Sequence, residues 1–391
     1  MKKNIVIIGA GPAGLSFANS LAGSDHQILV VERLSAAELA KPEYDGRDIA
    51  LTHFSQKLMQ EMGVWSLLPA TEIFPIKEAK VLDGNSPYTL QFDSENIAEN
   101  FLGFNVSNHL IRKAAYEKAS TLANVEILTD TSVTAVKVNS TSATVTLSSG
   151  KMVETSLVVA ADSRFSETRR KMGISADLHD FGRVCIVCRM QHQREHHGVA
   201  YECFFYGETL AVLPLSSHES SIVITVSSSK AERIMAMSTE EFNQHVEVQY
   251  SGKLGKMTLS SKRHPYPLVA VWANSFTSER FAVIGDAAVG MHPVTAHGFN
   301  LGLRSQHILA RLIKQAGMTG EDIGNSMLLK EYQSSHRRIA RPIYMGTNAI
   351  VKIFTNDMPL HRLARKALLR FGNIFPPVRR KITQQLTESN G

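Results

Sequence analysis

Cysteine is scarce in this chain, and its scarcity excludes one class of protein. Three cysteines among 391 residues are too few, and odd in number, for a framework of disulfide bonds, which indicates a reducing compartment. Cys185 and Cys188 form a C-x-x-C pair in an apolar stretch that is typical of a strand. A spacing of three on a strand places the two side chains on opposite faces, which favours two buried strand residues over a redox or zinc pair.

Long apolar runs and a leader pattern are also missing. No run approaches the roughly 20 apolar residues that a membrane-spanning helix needs. A strand-like stretch begins within four residues of the N-terminus, with no signal-peptide pattern before it. We therefore expect a cytoplasmic protein, either soluble or attached peripherally to the inner face of a membrane. The three histidines in the stretch 191–198 match no metal-ligand spacing, so we expect no metal site.

Positive charge is concentrated at one end of the chain. The net charge is +6, yet residues 341–391 contain nine basic and two acidic residues, an excess of seven that leaves the other 340 residues at −1. This distribution argues against a general nucleic-acid-binding surface. Because apolar residues are interspersed with the basic ones between Ala349 and Lys381, we expect a local contact with an anionic membrane or with a biosynthetic protein complex.

The pattern of strands and helices changes twice along the chain, which predicts an α/β fold with an inserted domain. Residues from about 182 to 271 are typical of strands with one helix, TEEFNQHVEVQY, and a long helix follows from about Gly298 to Gln315. We predict a Rossmann-like nucleotide-binding domain interrupted by a mainly antiparallel β domain for the substrate, with C-terminal helices. The expected parts of the first domain are residues 1–75, 103–181 and 272–340, those of the second are 76–102 and 182–271, and 341–391 form a C-terminal helical segment.

The first residues carry a nucleotide-binding motif. Gly9, Gly11 and Gly14 fit G-x-G-x-x-G after a strand and at the start of a helix. The first glycine permits a tight turn, the second lets the backbone approach a pyrophosphate, and the third lets the helix pack on the strand. The helix N-terminus adds N–H groups and partial positive charge. Glu32 ends the next strand, where an acid accepts hydrogen bonds from a ribose, and we include its neighbour Arg33 among the cofactor-binding residues.

A second glycine-rich stretch, GDAAVGMHPVTAHGFNLGL, begins at Gly285 after an apolar strand. It lies too far along the chain to belong to the first βαβ unit, and only one G-x-G-x-x-G is present, which indicates one long cofactor. Asp286 can bind a ribityl hydroxyl, and the helix that begins near Gly298 and Asn300 directs its N-terminus at a group that becomes negative, as reduced flavin does. These features favour FAD as the bound cofactor.

Together the motifs resemble those of the single-component FAD aromatic hydroxylases, the fold of p-hydroxybenzoate hydroxylase, and most closely those of the ubiquinone-biosynthesis hydroxylases. Of the family motif G-D-A-A-H-x-x-x-P-x-x-G-Q-G-x-N-x-G, the chain keeps Gly285, Asp286, Ala287, Ala288, Pro293, Gly298, Asn300 and Gly302. It departs from the motif at Val289, Ala296 and His297. The resemblance implies Asp286 on the ribityl chain, Pro293 beside the flavin ring, and Gly298 to Asn300 near its pyrimidine edge.

Three further stretches carry the same resemblance. Asp45–Leu51 is similar to D-x-R-x-x-A-L, which implies that Arg47 lies near FAD and a mobile flavin position, and the helix start at Asn108 implies Arg112 on the FAD diphosphate. The motif D-G-x-x-S-x-x-R, linked in the family to FAD and NAD(P)H, begins at Asp162 with Ser163 in place of the glycine. The resemblance leaves Arg47, Pro293 and His297 as the candidate catalytic residues.

The resemblance implies an FAD-dependent monooxygenase that hydroxylates the aromatic ring of a polyprenylated phenol or quinol in ubiquinone biosynthesis. The implied chemistry uses O2, NAD(P)H as reductant and a C4a-hydroperoxyflavin; the ring position stays open. One alternative is an FAD-dependent reductase or dehydrogenase of a prenyl lipid, because such enzymes share both FAD elements. A second alternative is a non-catalytic FAD-binding protein. Oxygen consumption coupled to substrate would separate a monooxygenase from both.

Overall fold

A computed structural model describes residues 2–84, 89–93, 100–205 and 207–355. The strands in chain order are β1 Lys2–Ile8, β2 Ile28–Val31, β3 Asp48–Leu51, β4 Ile73–Ile76, β5 Glu78–Asp83, β6 Thr89–Asp93, β7 Gly103–Ser107, β8 Val125–Leu128, β9 Val133–Val138, β10 Ala143–Leu147, β11 Met152–Ala160, β12 Ala176–His192, β13 Val199–Phe205, β14 Glu208–Pro214, β15 Glu219–Ser227, β16 Met257–Leu259, β17 His264–Ala273, β18 Thr277–Ser278, β19 Phe281–Val283 and β20 Val289–Gly290. The α-helices are α1 Pro12–Ser20, α2 Ala36–Ala40, α3 His53–Glu61, α4 Asn108–Ser120, α5 Glu167–Lys171, α6 Ser228–Ala236, α7 Thr239–Gln249, α8 His297–Thr319 and α9 Ser326–Thr355.

The first sheet forms the nucleotide-binding half of the fold. Its main path runs β18-β19-β11-β1-β2-β8, and the pairs from β19 to β8 are parallel. Its central strands are continuous runs of Val and Ile, such as Ile5 to Ile7 on β1, that are buried on both faces, as parallel strands require. Helices α1 and α4 pack against this sheet, and α8 packs on α1. Because α1 begins four residues after β1 ends, its N-terminus lies at the carboxyl edge of β1.

The second sheet has nine strands in the order β20-β17-β12-β15-β14-β13-β5-β6, with β16 paired to β12, and it is mainly antiparallel. Cys188 belongs to a core between this sheet and helices α6 and α7, whereas Cys185 belongs to an apolar cluster separate from that core. The prediction that these two cysteines occupy opposite faces is therefore confirmed. Helix α7 was expected from the sequence, but α6 was not.

A three-stranded sheet, β3-β7-β4, joins the two larger sheets. The buried carboxylate of Asp48 on β3 accepts hydrogen bonds from Ser107 on β7 at 2.6 Å and from Arg189 on β12 at 2.8 Å. In addition, the amide of Asn105 donates to the carbonyl of Pro214 at the end of β14, at 3.0 Å. These bonds hold the face of the nine-stranded sheet against the nucleotide-binding half.

The predicted fold class is confirmed: a Rossmann-like α/β domain is interrupted by a mainly antiparallel β domain and followed by C-terminal helices. We keep the finer domain division as a proposal, and the pairing of β5 and β6 with β13 supports grouping residues 76–102 with 182–271. Helix α9 continues across residue 341 and through Pro342, so the proposed last boundary falls inside a helix.

Part of the predicted C-terminal segment, including its helix breaks at Pro359 and Pro376-Pro377, lies outside the described residues. Within the described ranges, we find no helix with the length and apolarity needed to cross a bilayer.

Candidate FAD site

The turn between β1 and α1 is built around its glycines. Gly9 has a φ of +105°, and a Cβ there would lie 2.6 Å from the carbonyl oxygen of Ala161. A Cβ on Gly14 would lie 2.0 Å from the carbonyl oxygen of Gly9. At Gly11, by contrast, a Cβ would meet no atom within 4 Å. Gly9 and Gly14 are therefore required by packing, whereas Gly11 borders an open space in front of the α1 N-terminus that fits a diphosphate.

Glu32 follows β2 and ties that strand to the glycine turn. One of its carboxylate oxygens accepts from the N–H of Ala10 at 2.6 Å, and the other accepts from the N–H groups of Arg33 and Leu34 at 2.9 and 3.0 Å. A carboxylate offers about four acceptor positions, so the Ala10-bonded oxygen keeps capacity for a ribose hydroxyl. Arg33 itself is exposed at the edge of this site.

The second glycine-rich stretch packs directly on the first. Gly285 has a φ of +59°, and a Cβ there would lie 2.6 Å from the Cβ of Ala13 on α1. Asp286 therefore stands next to the α1 N-terminus, with 40% of its side chain exposed. Its carboxylate pairs with Arg164 at 3.2 Å, and Arg164 also donates to the carbonyl of Val269 on β17 at 3.2 Å. The structure thus brings together two motifs that lie far apart in the sequence.

Two histidines near the start of α8 have ring nitrogens without partners. Pro293 is exposed and begins a 3-10 turn, Pro293–Thr295, that leads into α8. The Nε2 atom of His292 and the Nδ1 atom of His297 are buried and bond to none of the described residues. Burial, assisted by Arg183, lowers the pKa of His292 to about 4, so its ring is neutral at neutral pH. A buried polar atom without a partner costs about 1–3 kcal/mol, so these nitrogens fit a ligand that would satisfy them.

Asn300 organises the backbone at the start of α8. Its amide nitrogen donates to the carbonyls of Ala50 at 2.9 Å and Ala296 at 2.7 Å, and its amide oxygen accepts from the N–H of Thr52 at 3.2 Å. The side chain is thereby occupied in joining α8 to the end of β3. A Cβ on the neighbouring Gly298 would meet no atom within 4 Å, so the backbone of Gly298 borders open space.

Arg47 lies just before β3, at the boundary between the two large sheets. Its guanidinium bonds to the carboxylate of Asp45 at 2.6 Å and lies over the ring of Tyr266, with its Cζ atom 5.3 Å from the ring centroid. Burial alone would lower the pKa of Arg47, but Asp45, with smaller effects of Tyr266 and Asp286, raises it. Asp45 is held in turn by the amide of Asn108 at 2.8 Å.

The remaining predicted residues lie around the same turn. Arg112 is half-buried on the second turn of α4 and forms no ion pair with any described residue, which leaves its guanidinium available. The Cα of Asp162 is 3.0 Å from a Cβ placed on Gly9, so Asp162 borders the glycine turn. Its carboxylate accepts from the Ser166 hydroxyl and from the Thr168 N–H at 3.1 Å, and it therefore holds the start of α5.

Both positions where the chain replaces a family glycine have left-handed backbone. Ser163 has a φ of +128°, and Ala296, the residue before α8, has a φ of +53°. A side chain is unfavourable in such conformations, by roughly 1 kcal/mol or more relative to glycine. The two replacements therefore leave backbone strain within the second glycine-rich stretch, at Ala296, and in the motif that begins at Asp162, at Ser163.

An apolar wall faces the FAD motifs, and no motif in the sequence indicated it. We use this name for the cluster on the nine-stranded sheet that comprises Cys185, Val187, Leu268, Phe181, Val223 and Tyr266. Arg47 borders the wall at Tyr266, and His292 borders it at Phe181, with ring centroids 4.9 Å apart. The signal was present in the run VCIVC, residues 184–188. A strand segment that is apolar at every position is buried on both faces, so something must cover its second face.

The histidines of the stretch 191–198 do not gather into a ligand set. Both ring nitrogens of His192 bond to protein atoms, the Arg194 carbonyl at 2.7 Å and the Ser220 hydroxyl at 2.9 Å. Those of His196 bond to the Ser216 carbonyl at 2.7 Å and the Gly198 N–H at 2.9 Å. These rings stabilise the strand ends.

Two glycine-rich turns against one helix N-terminus, beside an apolar wall, define an FAD site in a two-domain flavoprotein. The family model described as FAD binding domain matches residues 2–347, and the chain belongs to this family. The match confirms the predicted cofactor, FAD.

Curated relatives and solved structures agree with this assignment. The chain is 50% identical to ubiquinone hydroxylase UbiM of Neisseria meningitidis, over 99% of this chain and 85% of that protein. It is 33% identical to ubiquinone hydroxylase UbiL of Rhodospirillum rubrum, over 93% of this chain and 84% of that protein. The fold is similar to that of p-nitrophenol 4-monooxygenase PnpA from Pseudomonas putida, with a TM-score of 0.79, 17% identity and 98% coverage of both chains. The resemblance to the FAD aromatic hydroxylases is therefore confirmed.

Proposed function

We propose that this protein is an FAD-dependent monooxygenase that hydroxylates the ring of a polyprenylated phenol or quinol on the way to ubiquinone. The observation that carries the proposal is the apolar wall, which faces the FAD motifs between Arg47 and His292. An apolar wall suits a prenylated aromatic ring, because it removes apolar surface from water at about 25 cal/mol per Å². The names of the relatives in Neisseria and Rhodospirillum support the same substrate class.

The proposed cofactor contacts follow from the free groups at the site. The N–H groups at Gly11 and the guanidinium of Arg112 hold the FAD diphosphate, Glu32 holds the ribose, and Asp286 holds the ribityl chain. Bound FAD, reduced by NAD(P)H, would activate O2, one atom of which enters the ring while the other leaves as water. The protein's own task is to hold the ring and the flavin together and to keep water out.

His292 and His297 act in this proposal as hydrogen-bonding groups rather than as proton-transfer groups. The low pKa of His292, caused mainly by burial, keeps its ring neutral through the physiological range, so it has no proton to give as an acid. The unpartnered Nδ1 of His297, at the position where the family motif has glutamine, would offer the flavin a hydrogen bond. Pro293, exposed between them, borders the flavin ring.

The test combines the holoprotein, NAD(P)H, oxygen and a panel of prenylated phenols. We expect NAD(P)H oxidation to be stimulated by a prenylated phenol, with one oxygen atom from labelled O2 found in the product by mass spectrometry. Stimulated NAD(P)H oxidation with a reduced lipid and no label in the product would favour the reductase alternative. Intact flavin with no turnover on any member of the panel would favour a non-catalytic protein.

Delivery of a prenylated substrate requires contact with a membrane or with a partner that carries the lipid. We propose that the basic and apolar C-terminal segment from Ala349 to Lys381 makes this contact at the inner face of a membrane. Flotation with anionic and neutral vesicles tests it: salt-sensitive binding to anionic vesicles that is lost on truncation after Gly346, with flavin retained, is the expected result. If the full-length protein does not bind anionic vesicles at low salt, a protein complex must deliver the substrate instead.

A further inference from the structure

The face that carries the apolar wall extends beyond it, and a carboxyl group lies on the extension. Residues directly opposite each other on antiparallel strands point to the same face of a sheet. Val187 on β12 pairs with Val223 on β15, Val223 pairs with Ala211 on β14, and Ala211 pairs with Glu202 on β13. Glu202 therefore lies on the same face as the apolar wall, two strands beyond Val223.

The immediate surroundings of Glu202 are apolar. Its cross-strand neighbours are Ala211 on one side and Val81 of β5 on the other. Among the described residues, no side chain or backbone group forms a hydrogen bond or an ion pair with its carboxyl group. The side chain is partly accessible, yet protein atoms surround it closely enough that burial alone raises the pKa of the carboxyl to about 8.

The titratable groups near Glu202 provide no compensating positive charge. Cys185 on β12 and Cys203 on β13 both interact with it, and burial raises the pKa of each thiol to about 12, so both stay neutral. Asp83 on β5 shares the sheet face of Glu202 and is itself acidic. Lys80 and Glu78 form an ion pair on β5. Both residues alternate along the strand with Val81, the neighbour of Glu202, so their side chains lie on the opposite face of the sheet. At neutral pH, Glu202 is thus a neutral donor on the sheet face that carries the apolar wall.

We propose that Glu202 is a positioning residue for the substrate: it donates a hydrogen bond to an oxygen substituent of the aromatic ring that lies on the apolar wall. The inference rests on the proposed function, since it assumes an oxygenated ring as substrate. A ring oxygen placed on an apolar surface loses its hydrogen bonds to water, and Glu202 restores one of them. A site built this way also selects against a hydrocarbon ring, because such a ring would cover the carboxyl without giving it a hydrogen-bond partner.

The experiment removes the proposed hydrogen bond in two ways, by replacing Glu202 in the protein and by omitting the ring oxygen from the ligand. Full-length, FAD-loaded protein is titrated with 2-farnesylphenol and with farnesylbenzene, which lacks the oxygen, and dissociation constants are read from the flavin absorbance change. E202L should weaken 2-farnesylphenol about five- to tenfold, the effect of one lost hydrogen bond, and leave farnesylbenzene unchanged or tighter. E202Q, which still donates, should stay within about twofold of the unsubstituted protein for the phenol.

The pH dependence of ligand binding gives a second test. If Glu202 had only a structural role, its ionisation would not be expected to change ligand affinity. Because its pKa is raised to about 8, Glu202 is protonated and donates below that pH, and it ionises as pH rises through it. Binding of 2-farnesylanisole, whose ether oxygen accepts but cannot donate, should therefore weaken between about pH 7 and pH 9 in the unsubstituted protein and stay level over that range in E202Q. E78Q, on the opposite face of the same sheet, is the matched control and should show the unsubstituted profile.

The outcomes separate this inference from the proposed function. Unchanged phenol binding in E202L, or equal losses for phenol and farnesylbenzene, would overturn the role of Glu202 alone. Failure of the unsubstituted holoprotein to bind either ligand would overturn the proposed substrate class, and the role of Glu202 with it. Flavin content and farnesylbenzene binding in each variant report that the site is still folded.

Discussion

Single methyl groups at two glycines of the first turn should separate folding from cofactor binding. In Gly14→Ala, the new Cβ would stand 2.0 Å from the Gly9 carbonyl oxygen, whereas real Cβ contacts do not fall below 3.0 Å, so backbone must move by at least 1.0 Å. Overpacking of this kind costs about 1–3 kcal/mol. Because the close contact is with backbone, we take the upper part of this range, about 2–3 kcal/mol. Alanine gains up to about 1 kcal/mol over glycine in a helix, so we expect a net loss of at least about 1 kcal/mol in the free energy of unfolding.

The Gly11→Ala variant carries the same methyl group at a position where it meets no protein atom. Gly11 has φ −71° and ψ 178°, a conformation that alanine adopts freely, and no atom lies within 4 Å of the new Cβ. Loss of a glycine at the helix N-cap costs at most about 1 kcal/mol. The methyl group instead enters the space in front of α1, so we expect FAD to bind at least about tenfold more weakly, which removes about 1.4 kcal/mol of ligand-dependent stability at a fixed FAD concentration.

Denaturant unfolding with and without excess FAD measures both effects, together with flavin absorbance per chain. Gly14→Ala should be less stable in both conditions, whereas Gly11→Ala should differ from the unsubstituted protein mainly when FAD is present. The reasoning would be refuted by a Gly14→Ala protein of unchanged stability without FAD. A Gly11→Ala protein with unchanged FAD affinity would refute the placement of the diphosphate.

Three further substitutions test other parts of the site. Asp286→Ala should lower flavin content per chain, because it removes the proposed ribityl ligand and leaves Arg164 unpaired; full flavin content would contradict this. Arg47→Ala should raise hydrogen peroxide released per NAD(P)H oxidised while circular dichroism stays unchanged, and an unchanged product yield would remove Arg47 from the site. Ser163 is exposed and has a positive φ, which glycine adopts without strain. Ser163→Gly should therefore raise the free energy of unfolding by about 1 kcal/mol, and a denaturant titration that shows no gain would count against backbone strain at this position.

Local signals in the sequence predicted the first glycine turn, which the structure forms between β1 and α1. The glycine turn at Gly9 and the acid Glu32 belong to one βαβ unit, so their spacing alone constrains their geometry. The second glycine-rich stretch was found by its composition and by the strand before it. Its contact with Ala13 follows from the parallel pairing of β11 with β1 and β19, which no local pattern encodes.

The substrate end was harder to predict because it depends on strand register. Whether Glu202 shares a face with Val187 is set by three successive strand pairings, and a shift of one residue in any of them would reverse the answer. Helix α6 was missed because it is nine residues long and begins with serines, which compete with helical hydrogen bonding. The Arg164–Asp286 pair joins residues 122 positions apart, beyond the reach of any local motif.

Arg164 connects the two proposed ligand sites, so the binding of one ligand can affect how tightly the other binds. One guanidinium bonds both to Asp286, at the proposed ribityl site, and to the carbonyl of Val269, on a strand of the sheet that carries the apolar wall. Cofactor that competes for the Asp286 carboxylate therefore changes the strength of a bond to the other domain. By thermodynamic reciprocity, any factor by which FAD alters substrate affinity is the factor by which substrate alters FAD affinity. Substrate supply would then alter how tightly the flavin is retained by that same factor, so the cofactor occupancy of the protein would depend on both pools.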